Sequence, residues 1–310
     1  MTDILITEFM EKAAVEDLEG DFTVHFDPEL WTRPDDIAAR VGEARGLIVR
    51  NRTQVTAALL EQAPKLKVVG RLGVGLDNID LDACAARTVA VCPATGANSA
   101  SVAEYVIAAM LMLFRGVFRA NDRMLAGDWP RESLVGVDAT GRTLGVLGFG
   151  AIGQAVATRA RALGMRVIAH DAFLPEGDPG WELVASVSLD RLIAESDALT
   201  VHVPLTPETS GLIGRDAFAA MRPGAVLIDT ARGGVVDEEA LAEALRTGRL
   251  RGAALDVFET EPLTAEAAAR FADVPNLILT PHIAGITEDS NARVGAITAE
   301  NVRRHLLGDS

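Results

Sequence analysis

The sequence predicts an α/β protein built from two doubly wound parallel-sheet domains, and three observations carry that prediction. The chain has 310 residues, more than one ordinary globular core organises. Short, β-rich apolar runs alternate with helical patterns almost throughout, as in parallel sheets covered on both faces. The alternation breaks near residues 98–101 and again near 286–288, so domain boundaries are expected at those two places.

In order, ILIT (4–7), GLIVR (46–50), LKVVGR (66–71) and VAVCP (89–93) read as strands of the first domain. Ser101-Val-Ala-Glu104 has the form of a capping box and is expected to open a helix running towards Arg119. Its apolar stretch, Tyr105–Phe114, is too short to span a bilayer and reads as buried helix. From residue 143 the strands TLGVLG, MRVIAHD, DALTVHVP, GAVLIDT, GAALDVF and NLILTPH alternate with alanine-rich helical segments. After a boundary at Ile286–Glu288 a last helix is expected. Acids occupy its first turn, Arg303, Arg304 and His305 its last, and Gly308 ends it.

A formal charge of −15 disfavours nucleic acid and anionic membrane surfaces, because the phosphate contribution is repulsive. A small anionic substrate is compatible with it where arginines reverse the local sign. The two cysteines, Cys84 and Cys92, give neither a disulfide framework nor a zinc pattern, and no metal is expected. The start, MTDILITEFMEK, lacks the apolar core of a signal peptide, which points to the cytoplasm.

Gly148-Phe-Gly150-Ala151-Ile152-Gly153 lies between a strand pattern and an alanine-rich helix. In that setting Gly148 permits the tight turn, Gly150 the approach of a pyrophosphate and Gly153 close helix–strand packing. The helix N-terminus adds backbone donors for phosphate. The next strand ends in Asp171, followed by Ala172 and Phe173 with no arginine. A carboxylate there accepts from both ribose hydroxyls and repels a 2′-phosphate, so NAD is expected in preference to NADP.

Ligands of open parallel sheets bind beyond the carboxyl ends of the strands. Just past those ends in the second half of the chain stand Arg232 after GAVLIDT, Glu261 after GAALDVF and His282 after NLILTP. An arginine clamps a carboxylate through two hydrogen bonds, a histidine gives or takes a hydroxyl proton, and a glutamate paired with it favours the imidazolium. No second histidine or cysteine stands at metal-ligand spacing.

With those residues in place, the chain resembles the D-2-hydroxyacid dehydrogenase family, of the phosphoglycerate dehydrogenase type. The matching segments are VGRLGVGLDNID (69–80), NSASVAEYVIAAML (98–111), GFGAIG (148–153), HVPLTPET (202–209), DTARGGVVDEEAL (229–241), ALDVFETEP (254–262) and TPHIAG (280–285). The resemblance implies a flavodoxin-like substrate domain drawn from both termini, 1–98 plus 287–310, and a Rossmann NAD-binding domain over 99–286. It implies catalytic roles for Arg232, Glu261 and His282. Cofactor contacts are implied at Gly148, Gly150, Ala151, Ile152, Gly153, Asp171, Thr230, Ala231, Arg232, Asp256 and the turn His282, Ile283, Ala284, Gly285. Backbone N–H groups of Val74 and Gly75 are implied to meet the substrate carboxylate, beside Arg232 and His282. A homodimer built partly through VFRANDRMLAGDWP (117–130) is implied as well.

The segment VRNRT places Arg50, Asn51 and Arg52 in the family's substrate-facing position. In an extended segment Arg50 and Arg52 share a face and, with Arg71, would receive a second anionic group on the substrate. Phosphate, sulfonate and a second carboxylate are the candidates. LITEFM, VRNRT and PHIAGITEDSN together look like the sulfolactate dehydrogenases of this family. A glyoxylate or hydroxypyruvate reductase and a non-catalytic NAD(H)-sensing corepressor stand as alternatives.

Overall fold

A computed structural model describes residues 2–308. The chain divides into two compact units, one running up to Asn98 and resuming at Ile286, the other spanning Ser99–Gly285.

The first unit holds a five-stranded sheet of β1 (Ile4–Ile6), β2 (Val24–Phe26), β3 (Gly46–Val49), β4 (Val68–Arg71) and β5 (Ala90–Pro93). Their order is β2-β1-β3-β4-β5, every pair parallel, which is the flavodoxin-like arrangement. Alternate residues feed opposite faces, as the two-residue strand period requires. Ile4, Ile6, Ile48 and Val68 pack with Leu18, Val302 and Leu306. Leu5, Leu47, Val49 and Val69 pack with Leu30, Ile37, Val41 and Leu60.

The second unit holds seven strands: β6 (Thr143–Leu147), β7 (Arg166–His170), β8 (Ala185–Ser186), β9 (Ala198–Val201), β10 (Ala225–Asp229), β11 (Leu250–Leu255) and β12 (Leu277–Leu279). The order β12-β11-β10-β9-β6-β7-β8, again parallel, is doubly wound about β6. The chain leaves β6 in one direction towards β7 and β8, and β9 lies on its other side. The loop after β6 therefore sits at the switch point, where such sheets bind ligands.

Two edge strands, β2 and β8, are not among the strands expected from the sequence, for a physical reason. β2 is a half-exposed VHF and β8 has two exposed residues, so neither carries the apolar run that marks a central strand.

The capping box expected at Ser101 is also corrected. The helix begins at Ser99 and ends at Arg115, which puts Ser101 inside it and 6% exposed. Glu104 lies against Arg159 at 3.3 Å instead of reaching back to a cap. The helix stops short of Arg119 because Gly116, at φ 65°, takes the left-handed conformation that closes helix C-termini. The last helix, Glu288–Leu307, has a capping box at Thr287 and Ser290 and a left-handed Gly308 at its end.

Candidate active site

At Gly148 and Gly153 the loop is shaped by sterics that only glycine satisfies. Gly148 has φ 89°, and a Cβ there would lie 2.7 Å from the His202 carbonyl oxygen. A Cβ on Gly153 would meet the Gly148 carbonyl oxygen at 2.3 Å, so the helix Ala151–Ala162 seats directly on β6. At Gly150 a Cβ would meet nothing within 4 Å. Gly150 is also that helix's N-cap and supplies no side-chain oxygen. The Ala151 and Ile152 N–H groups, in the first turn, have no intrahelical acceptor and no side-chain cap, an arrangement suited to phosphate.

Asp171 closes this loop from the end of β7. Its carboxylate accepts from the Phe149 N–H at 2.7 Å on Oδ2, and from the Phe173 and Leu174 N–H groups at 2.8 and 3.0 Å on Oδ1. Backbone donors thus occupy most of its acceptor capacity, leaving room on Oδ2 for one further donor.

Beyond β9 and β10 stand His202, Thr230, Ala231 and Arg232. Thr200 Oγ1 lies 2.9 Å from His202 Nε2 and Thr230 Oγ1 lies 3.4 Å from its Nδ1. Burial pushes His202 down to about 3, so the ring is neutral at physiological pH. Asp229, the last residue of β10, accepts from the buried Ala231 N–H at 2.9 Å. The half-buried Arg232 donates through Nη1 to the Ala231 carbonyl at 2.6 Å. Gly233 lets this turn lie on the loop after β11: a Cβ there would fall 1.8 Å from the Phe258 carbonyl oxygen.

That second loop carries Glu261. Its Oε1 accepts from the Phe258 N–H at 3.0 Å and its Oε2 lies 2.7 Å from His282 Nδ1. Burial pushes Glu261 upward, but the His282 hydrogen bond, the Phe258 N–H and the charges of His282 and Arg232 outweigh it, and the net displacement is downward. A glutamate held ionised against Nδ1 orients the ring and leaves Nε2 to face a reactant.

His282 follows β12 with φ 54°, a left-handed conformation costly for a residue with a Cβ. Asp256, 1% exposed, holds that turn. Its carbonyl accepts the His282 N–H at 2.8 Å. Its carboxylate accepts from Thr280 Oγ1 at 2.6 Å and from the Ile283 and Ala284 N–H groups at 2.9 and 2.8 Å. With its own proton given to Asp256, the Thr280 hydroxyl accepts from Tyr105 Oη at 2.6 Å. Asp229, Thr280 and Tyr105 are not among the residues expected from the sequence. An acid ending the otherwise apolar run AVLID is the available signal for Asp229, whereas nothing local marks Tyr105.

In the first unit, Val74 and Gly75 follow the carboxyl end of β4, and their N–H groups have no acceptor among the described residues. Arg71 donates through Nη1 to the Leu72 carbonyl at 2.9 Å. The extended VRNRT segment is corrected. Residues 50–53 curl around the Glu8 carboxylate instead. Arg50 bonds Asn291 Oδ1 at 2.8 Å, and Arg52 lies over the Trp31 ring, 4.2 Å from its centroid. The segment is not extended because four successive N–H groups turn onto one carboxylate.

Comparison with known proteins decides the family. Residues 107–284 match the family model described as D-isomer specific 2-hydroxyacid dehydrogenase, NAD binding domain. The (S)-sulfolactate dehydrogenase of Chromohalobacter salexigens is 52% identical over 307 residues, 99% of each chain. The chain belongs to the D-isomer specific 2-hydroxyacid dehydrogenase family.

A D-3-phosphoglycerate dehydrogenase of Methanocaldococcus jannaschii is 39% identical across 100% of this dehydrogenase, which spans 58% of that protein's length. Among solved structures, the D-lactate dehydrogenase of Aquifex aeolicus complexed with NAD and lactic acid aligns with a TM-score of 0.85 at 30% identity, covering 99% of this chain and 96% of that one. NAD is the cofactor of this dehydrogenase. The open N–H groups at Gly150–Ile152 and the acid closing β7 fit its pyrophosphate and ribose. No metal-binding group of three or more candidate side chains occurs among the described residues, and no helix among them is long and apolar enough to cross a membrane.

Proposed function

We propose that this dehydrogenase interconverts a D-configured 2-hydroxy acid carrying a second anionic group and its 2-oxo acid, with sulfolactate and sulfopyruvate as the preferred pair. The observation that carries the reaction is the 2.7 Å contact between His282 Nδ1 and Glu261 beside Arg232. The bound nicotinamide supplies or receives the hydride. Arg232 takes the substrate carboxylate, as its paired donors suit. His282 gives its Nε2 proton to the carbonyl oxygen in reduction and takes the hydroxyl proton in oxidation. Glu261 stabilises the imidazolium, and Asp256 with Thr280 keeps the ring in place. Recognition of anionic groups falls in the first unit to the Val74 and Gly75 N–H groups and to Arg50, Asn51 and Arg52.

The relative's name supports the sulfonate. Its S label also agrees with D configuration. Sulfur raises the priority of the CH2 substituent above the carboxylate, so the label inverts relative to lactate or phosphoglycerate while the spatial arrangement stays the same. The exposed Phe118, Leu125, Trp129 and Val135 support a homodimer surface, and the two free thiols, Cys84 and Cys92, support a reducing cytoplasm.

The test follows NADH oxidation with sulfopyruvate, phosphohydroxypyruvate, oxaloacetate, hydroxypyruvate and glyoxylate. We expect kcat/KM to be highest for sulfopyruvate, with both monoanions well below it. Equal rates on glyoxylate and hydroxypyruvate would make the enzyme a small 2-oxo-acid reductase, and NADH binding without turnover would make it a sensor.

A further inference from the structure

Glu8 has no part in the chemistry above, yet it is an acid only 3% exposed, standing just beyond the end of β1. Its carboxylate accepts four successive backbone N–H groups. Arg50 and Thr53 donate to Oε1 at 2.8 and 3.0 Å, and Asn51 and Arg52 to Oε2 at 3.2 and 3.1 Å. Consecutive N–H groups converge in this way only where the chain curls into an anion-holding concavity, and here the anion is supplied by the protein itself. The neighbouring contacts fix the same loop: Thr7 Oγ1 lies 2.7 Å from Thr53 Oγ1, and Asn78 Nδ2 donates to the Thr53 carbonyl at 2.7 Å.

The curl determines where the two guanidinium groups go. Arg50 is half-buried; burial lowers its pKa and the charges of Glu8 and Glu11 oppose that. Its Nη2 is steadied by Asn291. The Arg52 guanidinium carbon lies over the Trp31 ring, 4.2 Å from its centroid, a cation–π contact that engages a face of the ring and uses none of the five N–H donors. No ion pair with a carboxylate at 4.0 Å or less claims either side chain among the described residues. Two cations are thus presented on a loop whose backbone is already saturated.

We propose that Glu8 is the specificity-determining residue of this enzyme: by holding residues 50–53 in the curl it positions Arg50 and Arg52 for the substrate's second anionic group, a sulfonate or phosphate. The proposal rests on the dianionic-substrate reading. It makes a prediction opposite in sign to simple electrostatics. The Glu8 charge cancels part of the arginine field, so its removal alone would tighten anion binding. Its removal also leaves two of the four N–H groups facing an amide NH2 in place of an acceptor and lets the loop open, which weakens anion binding.

Glu8→Gln removes the charge and sets an amide NH2 against backbone donors. We expect its KM for sulfopyruvate to rise roughly tenfold or more, the effect of about one charge-assisted hydrogen bond. Its kcat and its kcat/KM for glyoxylate, which has no second anion, should stay within about twofold. Glu8→Asp keeps the charge one methylene short and should give a smaller, equally selective rise; it serves alone if Glu8→Gln does not fold. An unchanged or lower KM for sulfopyruvate, or an equal loss on both substrates, would overturn the proposal. A wild-type enzyme without preference for dianions would overturn the functional reading first, and the role of Glu8 with it.

Discussion

Asp229 and His282 are the two residues on which the site's physical chemistry turns. Asp229 is 1% exposed at the end of β10. Burial pushes its carboxyl up to about 7; the Ala231 N–H and Arg232 pull it down, while Asp256 and Glu238 push it further up. A folded pKa above the ordinary 3.8 means that the native state holds an extra proton between those values, so stability falls as pH rises through that window. Asp229→Asn keeps an oxygen for the Ala231 N–H and carries no charge. It should raise stability at pH ~8 by up to about 4 kcal/mol, the full value of a three-unit shift, and change it much less near pH ~4. Thermal melts at both pH values check this, and an equal effect at both would contradict it. The motif residues around Asp229 are legible in the sequence because each follows an apolar run. The raised pKa of Asp229 is not, because it depends first on burial and then on Asp256 and Glu238, all of which arise only on folding.

At the scale of elements, the central strands are readable wherever both faces are buried, as in β6 and β10, all of whose residues are buried. The edge strands β2 and β8, with no buried residue and no apolar run, give no such signal. The capping box at Ser101 misleads because Ser-x-x-Glu is a local pattern, while the start of the Ser99–Arg115 helix is set by packing, with Ser99 and Ser101 both buried. The same limitation explains Arg50 and Arg52. Spacing within VRNRT predicts a common face only if the segment is extended, and a carboxylate from beyond a different strand, Glu8, makes it curl. An acid directly after the apolar ILIT is the one trace of that partner.

For the whole molecule, four strongly exposed apolar side chains fall within one stretch of the second unit: Phe118, Leu125, Trp129 and Val135 are 58%, 87%, 77% and 77% exposed. Apolar groups clustered at this density mark an interaction surface. Sedimentation should give a dimer for the wild-type chain and a monomer for the double variant Leu125→Asp, Trp129→Ser. A monomeric wild type would rule the dimer out. The charge of −15 sets the wider condition under which a small anion must bind, and it makes local arginines necessary to reverse the sign.

The most direct test of the central claim is His282→Ala, followed by single-turnover reduction of sulfopyruvate and by NADH binding through nicotinamide fluorescence. Loss of the proton donor should slow the hydride-transfer step by roughly 10²–10⁴-fold, with NADH affinity within about twofold of wild type. Near-normal turnover would contradict the role of His282, and a parallel collapse of NADH binding would make His282 a residue of cofactor binding instead.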